Sequence, residues 1–389
     1  MFYEVKKDVI YQERKQMIVM DVKIDNFISF NNFHMNMSYP KKIVNSFIQD
    51  EYLKERTNFR YKKINIILGA NASGKTSIGK MLMRIFNFMD KKQYEKLTDM
   101  ICDTNKKASF SIDFVTGNYT LYRVQTIIRP KAKENYQSTD INVVVKSIEI
   151  GSKDSYETCV DKIEKMQYSK CSNYMEELEK IDGLSWVFVY PIDSSTKIEN
   201  VYKGKNYNKY IQVLSNILKT LDPAIIKVEK IEEIENAYVI RYVDNDVIIQ
   251  DGKLIDHSIL SSGTKAGIDI ASMLTAIIDG TYGFYYCDEK FSYIHSDVEK
   301  AILSVMINEI HEDEQLFFTT HNTNILDLPL PKHTFTFLRK DVNDICEPIK
   351  CISASDLLKR NTDSLKNAVE NDLFSVAPNI DLIYDLVKD

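Results

Sequence analysis

An α/β fold with a mixed central sheet and flanking helices is predicted for this chain of 389 residues by three observations. Short, strongly apolar runs at Ile64–Leu68, Tyr282–Cys287 and Gln315–Thr319 read as strands buried on both faces of a sheet. The first is followed by helical periodicity, with Ile78, Met81, Leu82 and Ile85 on one side of a helix predicted over Lys75–Phe88. Between strand and helix stands Gly69-Ala70-Asn71-Ala72-Ser73-Gly74-Lys75-Thr76, a turn with the spacing of a phosphate-binding loop.

The remaining elements follow in chain order. Met17–Ile24 alternates as a strand and runs into Asn26-Phe27-Ile28-Ser29-Phe30. Phe110, Ile112 and Phe114 alternate toward Thr116-Gly117-Asn118, and Tyr119–Ile128 returns, which predicts a hairpin in an antiparallel β lobe. From 131 to 206 the composition is more polar, with a charged helical stretch over Tyr156–Ile181 ended by Gly183, and this reads as a helical insertion and a candidate partner-docking surface. A strand at Trp186–Tyr190, a helix at Tyr207–Leu221 and an antiparallel pair at Ala237–Val243 and Val247–Gln250 come next. A helix opens after Leu260 and runs to about Ile278. Strands at Thr334–Leu338 and Ile345–Ile352 and helices at Ala354–Leu358 and Ser375–Val387 complete the sheet packing. The chain thus divides into a lobe carrying the phosphate loop (1–130), the insertion (131–206) and a second half of the same head (207–389). No internal repeat appears.

Composition bounds the function. With 44% hydrophobic and 27% charged residues and a formal net charge of -6, the chain has a proper core and no global electrostatic pull toward nucleic acid. The basic clusters Lys41-Lys42, Lys54–Lys63 and Arg129–Lys133 read as solvated faces. Cys102, Cys159, Cys171, Cys287, Cys346 and Cys351 show no CxxC spacing, which suits a reducing cytosol. There is no apolar run near membrane-spanning length, and Met1–Lys7 lacks the layout of a secretory signal. A soluble cytoplasmic protein without a membrane partner is expected.

The chemistry concentrates in four motifs. Gly69 and Gly74 allow successive amides to point inward at phosphates, Lys75 brings charge to the β- and γ-phosphates, and Thr76, with Ser77 beside it, opens the helix where its hydroxyl can hold Mg²⁺. Leu260-Ser261-Ser262-Gly263-Thr264-Lys265 opens an apolar helix, placing Ser262 and the Gly263 amide where an anion is stabilised. The strand ending in Asp288-Glu289 delivers two adjacent carboxylates, one to hold metal and one to polarise water. Gln315–Thr319 ends at Thr320-His321-Asn322, where a histidine can sense a γ-phosphate. Taken singly, the serine motif reads as an ordinary helix cap and the histidine as structural; it is their order along the chain that points to ATP and Mg²⁺.

In that order the motifs resemble the ABC-type ATPases, a P-loop NTPase superfamily, and within it the stand-alone branch that includes the heads of SMC and RecF-like proteins and the overcoming-lysogenisation-defect ATPases. The resemblance covers most of the chain. Asn26-Phe27 with Ser29-Phe30 matches the branch's N-terminal strand end, and Asp288-Glu289 followed by His295 looks like its Walker B and D-loop. Ser262-Gly263-Thr264 replaces the transporter signature Ser-Gly-Gly-Gln, which favours the AAA-type ATPases of prokaryotic phage-defence systems over transporters. The resemblance implies an ATPase that dimerises around ATP, with Glu289 activating water, His321 as switch, and Ser261, Ser262, Gly263 and Thr264 capping the partner's nucleotide. It also implies a sensor role controlling a separately encoded effector, the alternative being a DNA-repair head that clamps DNA. Gln125 and Gln137 stay open as the glutamine that couples nucleotide to the second lobe. Asp341, Asp344 and Glu347 read as a hairpin turn rather than a nuclease metal site.

Overall fold

The strand Ile64–Leu68 runs through the middle of a six-stranded sheet in the computed structural model, which describes residues 16–42, 46–167, 173–190, 206–234, 237–250, 253–254, 260–360, 363–376, 383 and 386. Across this sheet the strands are Ile349–Ser353, Phe335–Lys340, Ile64–Leu68, Gln315–Thr319, Phe284–Asp288 and Trp186–Val189. All pair in parallel except Ile349–Ser353, which runs antiparallel at one edge. Parallel central strands are buried on both sides, which is why they read as unbroken apolar runs.

The two faces carry separate cores. On one, Ile64, Ile66, Leu68, Leu316 and Phe318 pack under the helices Tyr207–Leu221, Ser262–Ile278 and Ser296–Glu309. On the other, Ile67, Phe284, Tyr286 and Phe317 pack under the helix Lys75–Lys91, whose buried Ile78, Met81, Leu82 and Ile85 each contribute roughly 1.5–3 kcal/mol.

That helix is covered in turn by a five-stranded antiparallel sheet in the order Phe33–Asn36, Met17–Asp25, Ala108–Thr116, Thr120–Ile128, Ile141–Glu149. Its central hairpin turns at Asn118, held at φ 63°. Gln315 bolts the two sheets together. Its buried amide accepts from Val19 N–H (2.9 Å) and donates to the carbonyls of Val19 (3.1 Å) and Lys62 (2.9 Å).

Several expectations are corrected here. The stretch 131–206 is not a purely helical insertion: Ile141–Glu149 is the fifth strand of the antiparallel sheet, paired along Thr120–Ile128, and Trp186–Val189 joins the central sheet. The charged stretch forms two helices, Tyr156–Lys165 and Tyr174–Leu178, while residues 168–172 and 191–205 lie outside the described residues. Lys62 and Lys63 leave the basic surface altogether. They are buried, and desolvation holds both ammonium groups below their ordinary pKa. The antiparallel pair expected next is present, as Ala237–Arg241 and Asp246–Gln250, in a separate four-stranded sheet. A helix at Leu365–Glu370 was not anticipated, and most of the one expected at Ser375–Val387 lies outside the described residues. No helix among the described residues is long and apolar enough to cross a membrane.

Candidate nucleotide site

The strand Ile64–Leu68 ends in the glycine-bounded turn, and the helix Lys75–Lys91 begins at its far side. Gly74 sits at φ 106°, a left-handed conformation that glycine adopts without strain, and Ile349 Cδ1 lies 2.9 Å from where a Cβ would stand. Asn71 and Ala72 are exposed at the tip, whereas Ser73 is buried and its hydroxyl has no partner among the described residues. The helix has no side-chain N-cap and no acid in its first turn, so its positive end is open to an anion.

Tyr286 fixes this helix on the sheet. Its hydroxyl donates to the Lys75 carbonyl oxygen at 2.9 Å. The ring lies 2.5 Å from where a Cβ on Gly79 would stand, so only glycine permits this approach.

Lys75 is the centre of the site. Its ammonium, with a side chain 4% exposed, donates to the carbonyls of Gly69 (2.8 Å) and Ala70 (3.1 Å) and pairs with Glu289 Oε1 at 3.0 Å. The end of the strand Phe284–Asp288 therefore brings Asp288 and Glu289 to the glycine-bounded turn. Asp288 is buried: Oδ1 accepts from Thr319 Oγ1 at 2.7 Å, while Oδ2 has no hydrogen-bond partner among the described residues. Burial pushes its carboxyl above the ordinary range, opposed by the hydrogen bond from Thr319 and by the neighbouring Thr76 hydroxyl. A buried, underpartnered carboxylate facing the Thr76 hydroxyl is the donor set expected of a Mg²⁺ site, so the residues present fit that ion. Ser77 follows on the first turn of the helix, half-buried.

Glu289 has φ 39°, a left-handed conformation that strains a non-glycine residue. It is held there by its N–H, which donates to Thr319 O (3.2 Å) and Thr319 Oγ1 (3.0 Å). Glu289 and His321 face one cleft of about 210 Å³, and His321 also borders a second of about 660 Å³ reaching Gly69, Ala70 and Asn71.

Sequence reasoning missed Glu299. On the helix Ser296–Glu309 it is buried, and its carboxylate accepts from Thr320 Oγ1 (2.8 Å) and Asn322 Nδ2 (2.6 Å), clamping the residues on either side of His321. Burial raises its pKa against those two hydrogen bonds. The only signal for it was an acid three residues into a helix, where N-terminal acids are common.

The signature residues stand elsewhere. Ser261, not Ser262, is the N-cap of the helix Ser262–Ile278: its hydroxyl accepts from Thr264 N–H at 3.1 Å, and Thr264 Oγ1 lies 2.8 Å away. Ser262 is exposed, and the Ser261–Thr264 motif borders neither cleft. His295 caps the helix Ser296–Glu309 by accepting from Asp297 N–H. Asn26 pins its own strand end by accepting from Asp103 N–H and donating to the carbonyls of Asp103 and Lys107. Gln125 is exposed on the outer face of the antiparallel sheet and Gln137 caps a short turn with Asp140, so neither stands at the phosphate loop. Asp344 is a turn residue, accepting from Cys346 and Glu347 N–H and pairing with Lys350 at 2.8 Å.

No protein-family model and no curated relative matches the chain. Among solved structures it is similar to an SMC head bound to the C-terminal winged-helix domain of ScpA, at 14% identity and TM-score 0.49, covering 87% of this chain and 99% of that one. It is similar also to the SMC head domain from Thermotoga maritima, at 13% identity and TM-score 0.42 over 86% and 98% of the two chains. A third is the recombination mediator protein RecF with ATP, at 11% identity and TM-score 0.42 over 83% and 97%. Likenesses this distant leave the functional reading to the site's own geometry.

Proposed function

We propose that this chain binds ATP with Mg²⁺ at the phosphate loop and hydrolyses it to ADP and phosphate, two copies closing around the nucleotide. The observation that carries the reading is the convergence of Lys75, Thr76, Asp288 and Glu289 at one edge of the central sheet. The β- and γ-phosphates take the Lys75 ammonium from Glu289 and draw the loop amides. Held by Thr76 and Asp288, Mg²⁺ would neutralise charge on the same phosphate oxygens. Glu289, released, accepts a proton from water as the water oxygen bonds to the γ-phosphorus and the bond to the β–γ bridging oxygen breaks. His321, kept in register by the Glu299 clamp on its neighbours, contacts the γ-phosphate.

The exposed Ser262 and the helix start beside it border neither cleft of their own copy, which supports their acting on a partner's nucleotide. Phosphate release from Mg-ATP, together with sedimentation in Mg²⁺ and a non-hydrolysable analogue, tests this: turnover and a nucleotide-dependent dimer are expected, and a chain that binds no ATP sinks the proposal.

In its finer form, the chain is the sensor ATPase of a phage-defence system acting on a separately encoded effector. Co-purification with the products of adjacent genes tests this, and a chain that retains no partner and leaves phage plating unchanged counts against it. A DNA-clamping head is the second reading. It is favoured by exposed Lys23 and Lys107 on a concave, open face of the antiparallel sheet, alongside Ser109, Ser111 and Asn142. Duplex affinity that falls steeply with salt would support it.

A further inference from the structure

Lys290 follows the proposed base directly, and its side chain is only 2% exposed. Its ammonium pairs with Asp269, itself 5% exposed, and donates to the Tyr190 carbonyl at 2.8 Å at the end of the strand Trp186–Val189. Asp269 lies about two helical turns below the start of the helix Ser262–Ile278, the element that carries the signature residues at its head. A second contact runs alongside. The Tyr293 carbonyl oxygen lies 3.2 Å from where a Cβ on Gly263 would stand. The segment 289–293 is therefore laid against the first two turns of that helix.

Glu289 itself has little slack. Its N–H is held by Thr319, and its carbonyl accepts from Ser292 N–H (3.2 Å) and Ser292 Oγ (2.7 Å). Lys290 thus ties the helix to a backbone already strained at φ 39°. Stability alone is a poor reason for the pair, because desolvating two buried charges offsets most of their attraction.

We propose that Lys290 and Asp269 are positioning residues that couple the signature helix to the base: engagement of Ser261–Thr264 with a partner's γ-phosphate sets the placement of Glu289 in the same copy. The coupling rests on the reading of Glu289 as base and of a two-copy closed state. It gives each active site a dependence on the neighbouring one, since the helix reports on the partner's nucleotide while Lys290 acts on its own.

The test is the full chain carrying Asp269→Leu with Lys290→Met, compared with the parent for thermal unfolding, affinity for a non-hydrolysable ATP analogue, and kcat as a function of protein concentration. The expected result is a folded protein that still melts cooperatively, within several degrees of the parent, with analogue affinity within about twofold, kcat lower by on the order of 10–100-fold and the parent's rise of specific activity with concentration abolished. A folded double variant that hydrolyses ATP at the parent rate with the parent's concentration dependence would overturn the coupling. An unfolded double variant would overturn it too, by making the pair a structural tie. Absence of turnover in the parent chain would instead sink the reading of Glu289 as base, and the coupling with it.

Discussion

Lys75 Nζ lies 3.0 Å from Glu289 Oε1, so the cation of the phosphate loop and the proposed base hold each other directly. Two consequences follow from that pairing. The ammonium cannot serve a phosphate and keep this partner fully, and the carboxylate cannot turn to a water while it holds the ammonium. On the proposed reading, ATP binding and release of the base are one event.

Replacing Lys75 with Ala removes the positive end of this pair and leaves Glu289 beside a phosphate with no cation between them. ATP affinity should fall by at least 100-fold, on the order of 3 kcal/mol, in equilibrium dialysis. Retained affinity would contradict the assignment of the loop.

Asp288 is a carboxylate whose charged form burial disfavours. Its folded pKa is raised, as is that of Glu299, so the stability each contributes is fully present below the ordinary carboxylate range and is lost as pH rises through the raised value. Asp288→Asn removes the ionised form at neutral pH. The melting temperature at pH 7 should rise by on the order of 2 °C while Mg²⁺-dependent hydrolysis disappears. Scanning calorimetry and phosphate release on the same sample check both halves.

A methyl group on Gly79 would meet the Tyr286 ring at 2.5 Å and push the helix Lys75–Lys91 off the sheet. Gly79→Ala should cost about 1–3 kcal/mol in urea unfolding and weaken ATP binding, although residue 79 touches no phosphate. If stability rises instead, as helix propensity alone would have it, the close approach is not what holds the loop.

Glu299→Gln keeps the shape of the side chain but loses the charge and one of its two accepting oxygens, so with Asn322 still donating to the remaining oxygen the Thr320 hydroxyl must turn from donor to acceptor. kcat should drop about 10-fold with ATP affinity unchanged. Steady-state kinetics resolves this, and an equal fall in affinity would place Glu299 in binding rather than in the switch.

How much of this was legible in the sequence depends on the range of the interactions. The loop from Gly69 to Thr76, the strand before it and the helix after it follow from local rules, as does the hairpin around Asn118. The strand Ile141–Glu149 was passed over because its polar residues face outward on a lobe whose other side is the core, and composition alone suggested an insertion. Tyr286 binds a carbonyl 211 positions away, Gln315 binds one 296 away, and both partners exist only once the sheets have assembled. Glu299 and Lys290 are nearer their partners in sequence, yet a buried acid and a buried lysine look like solvated charges until their surroundings are known.

The most direct measurement is calorimetric titration of Mg²⁺ and a non-hydrolysable ATP analogue into the parent chain and into Glu289→Gln. If phosphate and Glu289 compete for Lys75, the variant, with its neutral side chain, should bind the analogue roughly 5–10-fold more tightly while hydrolysing ATP at least 100-fold more slowly. Equal or weaker binding by Glu289→Gln, or turnover at the parent rate, would contradict the account.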